Sequence, residues 1–255
     1  MVQLKTDTSI AAMREAGRVV AQLLAAVRKA AAVGVSLREL DEVAREVLRE
    51  AGAGSPFLNY KPHFAPTPFP GVICASVNDA IVHGIPTDQR LRDGDLVSID
   101  AGATLGGWVG DSAISFTVGR ARPADTRLID TAFEALEAGI AAAVVGNRIG
   151  DIAHAIGTVC RTAGYGIPEG FGGHGVGRSM HEDPAVPNEG RPGRGMPLRH
   201  GMVLAIEPML IGSGRDAFHP DRDGWTLRTS DGSRAAHAEH TVAITDAGPR
   251  ILTAL

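Results

Sequence analysis

Through "GRVVAQLLAAVRKAAAVG" (17–34) the apolar residues Val19, Val20, Leu23, Leu24 and Val27 recur three and four apart, the spacing that gathers side chains on one face of an α-helix. After a short break a second stripe follows, Leu40, Val43, Val47 and Leu48. Ser36 and Glu39 ahead of it form a capping box, and Gly52 is a natural stop. A second pair of helices is predicted from Leu136, Ile140 and Val144, then Ile149, Ile152, Ile156 and Val159. Between and after these stripes the pattern changes to short apolar runs rich in β-branched residues: "GVICASV", "DLVSIDAG", "SAISFTVG", "MVLAIEPML" and "EHTVAIT". Such runs read as strands.

The pattern is also written twice. "AAVGVSLRELDEVAREVLREAGAG" (31–54) resembles "AVVGNRIGDIAHAIGTVCRTAGYG" (143–166) at a constant offset, and "LRDGDLVSID" (91–100) resembles "LRHGMVLAIE" (198–207). Between them, "HGI" at His83 is echoed by "HGV" at His174. Three echoes in the same order point to two equivalent halves. We place them at about 1–121 and 122–255 of one domain, meeting near "GRARPADTR". Helices ahead of antiparallel strands, twice over, predict an α+β fold with a central antiparallel sheet and helices outside it. The proline-rich stretches 61–70 and 184–197 are expected to be loops.

Against this apolar background four acids stand out: Asp100, Asp111, Glu207 and Glu239. If the first hairpin turns at Leu105-Gly106, Asp100 lies directly opposite Asp111, with Cβ atoms roughly 4.5 to 5.5 Å apart. The repeat matches Asp100 with Glu207, so each half supplies a pair, and two-fold packing brings the pairs together. A buried site carrying about four negative charges is untenable uncompensated, and two divalent cations cancel it. His174 sits nearby in "GFGGHGVGR". That run is no phosphate loop, because "SMHEDPAVPNEG" follows it without a helical stripe. Its glycines are expected to permit close backbone approach while aiming His174 and His181 inward. The remaining histidines read blandly: His154 on a helix face, His200 in a turn, His63 and His219 in loops. Cys160 reads as helix core, and Cys74 as core or pocket wall.

Composition narrows the setting. The chain has 255 residues and a net charge of −4, which argues against partners held by electrostatics alone, nucleic acid and membrane surfaces included. Its two cysteines have neither metal nor redox spacing, which fits a reducing compartment. No apolar run approaches the ~20 residues of a membrane helix, and the N-terminus lacks the apolar core of a signal peptide. A cytoplasmic location is expected.

Five long segments, "SVNDAIVHGIP", "GDLVSIDAGATLGGWVGDSAISF", "GGHGVGRSMHEDP", "GMVLAIEPML" and "DGWTLRTSDGSRAAHAEHTVAIT", resemble type I methionine aminopeptidases nearly end to end. The resemblance implies the duplicated pita-bread fold and two divalent metal ions, cobalt, manganese, iron or zinc. It implies Asp100 at the first ion, His174 and Glu207 at the second, and Asp111 and Glu239 bridging both. It further implies that a metal-activated water attacks the carbonyl after an N-terminal methionine when the second residue is small. Glu207 would shuttle the proton, His181 would hydrogen-bond the scissile carbonyl and His83 the scissile nitrogen. Phe69, Cys74 and Trp225 are candidates for the methionine pocket. The implied partners are peptide and nascent-protein N-termini, the latter emerging at the ribosome, and the implied state is a monomer. Three positions depart from the family pattern: Met180 stands where an aromatic residue is common, His237 replaces an uncharged amide, and 59–70 is unusually proline-rich. Two other readings compete: an Xaa-Pro aminopeptidase or creatinase-like hydrolase of the same fold, and a non-catalytic peptide-binding module.

Overall fold

The computed structural model describes every residue except Met1 and Phe64. Four helices form where the apolar stripes lie: α1 (Asp7–Ala30), α2 (Leu37–Glu50), α3 (Pro123–Ala142) and α4 (Ile149–Thr162). Val144 falls just beyond the end of α3, where the chain turns into α4. The capping box is present at α2: Glu39 Oε2 accepts from the Ser36 backbone N–H at 2.8 Å, and Ser36 Oγ accepts from the Glu39 backbone N–H at 3.2 Å. At the repeat-equivalent place on α4, Asp151 Oδ2 accepts from the Arg148 N–H at 2.7 Å.

The first half contributes β1 (Ile73–Val77), β2 (Ala80–Val82), β3 (Asp95–Leu105) and β4 (Trp108–Val118). The second contributes β5 (Gly172–Gly175), β6 (Glu182–Pro187), β7 (Val203–Ile206), β8 (Met209–Ile211), β9 (Phe218–Pro220), β10 (Leu227–Thr229), β11 (Ala235–His237), β12 (Glu239–Thr245) and β13 (Gly248–Ile251). The main sheet runs β1-β3-β4-β12-β7-β5-β6, with β13 on β12. Strands of the two halves therefore meet at the β4–β12 pair.

Parity along the strands decides what each face carries. Val97, Ile99 and Phe116 pack with α1 and α2, while Leu204, Ile206, Val242 and Ile244 pack with the residues of α3 and α4. Asp100, Asp111, Glu207 and Glu239 have the opposite parity and lie on the other face. Beside them on that face, Val109, Val203, Ala205 and Ala243 cluster with Ile10 and Met13 from the start of α1.

Four sequence expectations need correction. The β3–β4 hairpin turns at Gly106-Gly107, not Leu105-Gly106, so Leu105 pairs with Trp108, Gly102 with Asp111 and Asp100 with Ala113. Both turn residues have positive φ, 57° and 74°, as a two-residue hairpin turn of this hand requires, and leucine resists that conformation. The shift is two residues, so Asp100 and Asp111 stay on one face but sit diagonally rather than directly opposed. Next, "MVLAIEPML" is not one strand: it breaks at Glu207-Pro208, where proline offers no N–H to the ladder, and β8 leaves to pair with β11. Finally, part of the 184–197 stretch is strand β6, and His219 lies in β9 rather than a loop.

Candidate active site

The acids converge because the sheet lines them up. In register, Asp100 of β3 and Glu239 of β12 flank Ala113 of β4 from its two sides. Asp111 stands two residues along β4 on the same face, and its backbone is locked to β12. Its N–H donates to Thr241 Oγ1 at 3.0 Å, and Thr241 Oγ1 donates back to its carbonyl at 2.7 Å. Glu207 follows β7 at the strand break, where buried Asn188 donates to its carbonyl oxygen at 2.9 Å. The small Ala113 leaves the space between the carboxylates free of side chain.

His174 enters from β5. Its Nδ1 lies 2.9 Å from the Gly175 carbonyl oxygen, so that nitrogen donates and Nε2 is left with a free lone pair. Nε2 faces Asp111 Oδ2 and Glu207 Oε1, each at 3.6 Å. The flanking glycines do what their sequence implied: a Cβ on Gly173 would lie 2.0 Å from the Ala205 carbonyl oxygen, and one on Gly175 would lie 2.2 Å from that of Asp183.

Asp111 and Glu239 are 2% and 1% exposed, Glu207 9%. Among the described residues, Asp100 Oδ1, Asp111 Oδ1 and Glu239 Oε1 are buried without a hydrogen-bond donor. Burial pushes the Asp100 carboxyl up to about 7, reinforced by Glu207 and opposed by His237, and pushes Glu207 up to about 8. Burial, with the mutual repulsion of the acids, drives Asp111 and Glu239 well above the usual carboxylate range. Burial likewise holds His174 down at about 4 and therefore neutral at physiological pH. Buried carboxylate oxygens that lack a donor, beside a neutral imidazole, form a donor set for hard or borderline divalent cations. Asp111, His174 and Glu239 form one candidate metal-holding group, and Glu207, His237 and Glu239 another. The residues present thus fit a metal centre.

A cavity of about 300 Å³ opens beside the acids, its wall including Phe69, Cys74, Trp225, His83 and His181. Phe69 and Trp225 meet edge-on with ring centroids 5.0 Å apart, and Trp225 Nε1 donates to the Thr67 carbonyl at 3.0 Å. Cys74 pairs with Asp100 across β1–β3, and burial next to the acids raises its thiol well above its ordinary value. Cys160, by contrast, is packed in the α3–α4 core. The His181 ring is tilted 45° against that of His174, centroids 4.2 Å apart, and desolvation lowers its pKa. His83 stands by Trp225 at 6.3 Å; desolvation first, then His237 and His181, bring it down to about 4.

Sequence reasoning missed several participants. Tyr60 places its hydroxyl 3.2 Å from His181 Nδ1 and stacks on that ring. Phe57, Phe171 and Met209 complete the apolar wall. His237 stood out only as a departure, yet its Nε2 lies 3.2 Å from Glu207 Oε2. Phe57, Tyr60, Phe171 and Asn188 come from aperiodic loops, which carry no pattern to mark them.

The chain matches metallopeptidase family M24 over residues 11–246. It is 54% identical to methionine aminopeptidase 1 of Mycobacterium tuberculosis, covering 99% of this chain and 95% of that protein. It is 44% identical to methionine aminopeptidase of Clostridium acetobutylicum, covering 99% of each. Its structure superposes on methionine aminopeptidase of Thermotoga maritima with a TM-score of 0.95, at 38% identity and 100% coverage of both chains. Prolidase of Pyrococcus horikoshii shares the fold at a TM-score of 0.76 and 22% identity, with 98% of this chain covering only 63% of that one. Curled antiparallel sheet, outer helices and opposed acids make this the pita-bread fold, and the chain belongs to the methionine aminopeptidases of metallopeptidase family M24.

Proposed function

We propose that this chain removes the initiator methionine from peptides and nascent proteins whose second residue is small, using two divalent metal ions held by Asp100, Asp111, His174, Glu207 and Glu239. The observation that carries the reading is the convergence of four carboxylates, three from neighbouring strands and one from the break that ends a fourth, three of them with buried oxygens lacking any donor, beside an apolar cavity. Bound ions supply charge neutralisation, a more acidic water and polarisation of the scissile carbonyl.

The chain's own groups do the rest. Phe69, Cys74 and Trp225, with Phe57 and Met180, offer an apolar slot for an unbranched thioether side chain. His181, fixed through its Nδ1 by Tyr60, hydrogen-bonds the scissile carbonyl oxygen. His83 is kept neutral and hydrogen-bonds the scissile nitrogen without competing for the substrate's own positive charge. The stacked Tyr60 and His181 rings line the cavity and are both exposed to solvent, a placement that favours a small second residue. Glu207, whose carboxylate borders both the metal ligands and the cavity, accepts a proton on the water side and returns it to the leaving amine.

The chain is read as one catalytic domain acting as a monomer in the cytoplasm. Supporting the location, no helix among the described residues is long and apolar enough to cross a membrane, and both cysteines are unpaired. The test is hydrolysis of Met-Ala-X against Ala-Pro-X peptides, with chelated protein and with cobalt, manganese, iron or zinc restored singly. Methionine release only with metal is expected. Cleavage of the proline peptide alone would favour the Xaa-Pro reading, and cleavage by chelated protein would overturn the metal-dependent one.

A further inference from the structure

One side chain faces the acids without belonging to the five-residue set. His237 is 1% exposed and ends β11, two residues before Glu239. Its backbone is pinned to β4: the N–H donates to Ser115 Oγ at 2.9 Å, and the carbonyl accepts from the same hydroxyl at 2.7 Å. The backbone is therefore held in place and the side chain is buried, yet Nε2 has no hydrogen-bond partner among the described residues. It lies 3.2 Å from Glu207 Oε2 and 4.0 Å from Glu239 Oε2. Glu207 thus stands between two imidazoles, with Oε1 3.6 Å from His174 Nε2 and Oε2 toward His237.

A buried nitrogen this close to two carboxylate oxygens, but off hydrogen-bond geometry, fits donor atoms that address a common third atom. Ligands held about 2.1 Å from one ion lie about 3.0 to 3.4 Å apart on neighbouring vertices and about 4.2 Å apart when opposed. The two separations at His237 fall within that range. We propose that His237 Nε2 is a further metal ligand, acting with Glu207 and Glu239 on the side of Glu207 away from His174. The proposal rests on the metal reading above and deepens it: the centre has two imidazoles where the family pattern provides one. A second neutral nitrogen shifts preference toward zinc, cobalt and iron(II) and away from the oxygen-preferring manganese.

Two readouts independent of turnover test this. X-ray absorption at the metal edge of cobalt- or zinc-loaded protein counts imidazole ligands, and calorimetric titration of chelated protein measures affinity for each ion. Two imidazoles per loaded centre are expected in the unaltered chain, and one in His237→Gln. That variant should bind its weaker ion at least about tenfold less tightly and leave the tighter ion nearly unchanged. One imidazole in the unaltered, metal-loaded protein overturns the proposal and makes His237 a neighbour only; so does an unchanged count and affinity in the variant. Should His237→Gln fail to fold, the count in the unaltered protein decides alone. A chain that takes up no metal at all would instead contradict the underlying metal reading.

Discussion

Asp111 is 2% exposed, with one carboxylate oxygen lacking a donor and the other 3.6 Å from an imidazole. Asp111→Asn keeps the shape and removes the charge. It should weaken binding of both ions and lower methionine release roughly 100-fold or more, since losing even a group that only supports a metal ligand costs about 10- to 100-fold. Calorimetry and peptide hydrolysis read the two effects, and normal turnover by the variant would refute a bridging role. The acids were legible in the sequence because a charged residue in an apolar run breaks a period-two pattern. His174 was legible through its glycines. Tyr60 and Asn188 were not, since their positions depend on where aperiodic loops settle against β6 and β7.

The elements carry these residues to their places. Gly106 sits at φ 57° in the hairpin turn, and a Cβ there would meet nothing within 4 Å. Gly106→Ala should therefore report backbone strain alone, lowering stability by about 1 kcal/mol in urea unfolding, while Gly106→Asn costs less because asparagine tolerates this conformation. Equal stability of all three proteins would argue against the turn as described. A second device is the turn 178–182, which carries His181. Glu182 Oε1 accepts from the N–H groups of Arg178 and Ser179 at 2.9 and 3.2 Å, and buried Lys5 donates to Glu182 Oε2 at 2.6 Å. Lys5→Met should free this turn, giving faster hydrogen exchange at Arg178 and Ser179 and a lower kcat with KM little changed. Unaltered exchange would show that Lys5 does not hold it. The four helices and the long strands could be read from periodicity. The hairpin register could not, because Leu105-Gly106 and Gly106-Gly107 both look like turns until the φ requirement chooses between them. The Glu207-Pro208 break was hidden by the apolar residues on either side of it.

Across the whole molecule, the fold holds its acids against their own repulsion. Folding raises Asp100 from 3.8 to about 7 and Glu207 from 4.5 to about 8. The metal-free fold therefore binds more protons than the unfolded chain between these limits, so the stability these groups contribute is complete below about pH 4 and is lost as pH rises through 7 and 8. Metal-free protein should melt at a lower temperature at pH 8.5 than at pH 6.5, and saturating metal should remove that fall. A rising or flat melting temperature without metal would contradict it. The sheet order, in which β4 meets β12, explains why a repeated sequence makes a single site: each half alone carries two acids, and only their junction gathers four. The most direct test of that claim is titration of chelated protein with cobalt at pH 7 by calorimetry in buffers of different ionisation enthalpy, which yields ions bound and protons released together. The account predicts two ions per chain and a net release of protons from carboxyls that were protonated in their absence; binding without proton release, or no binding, would contradict it.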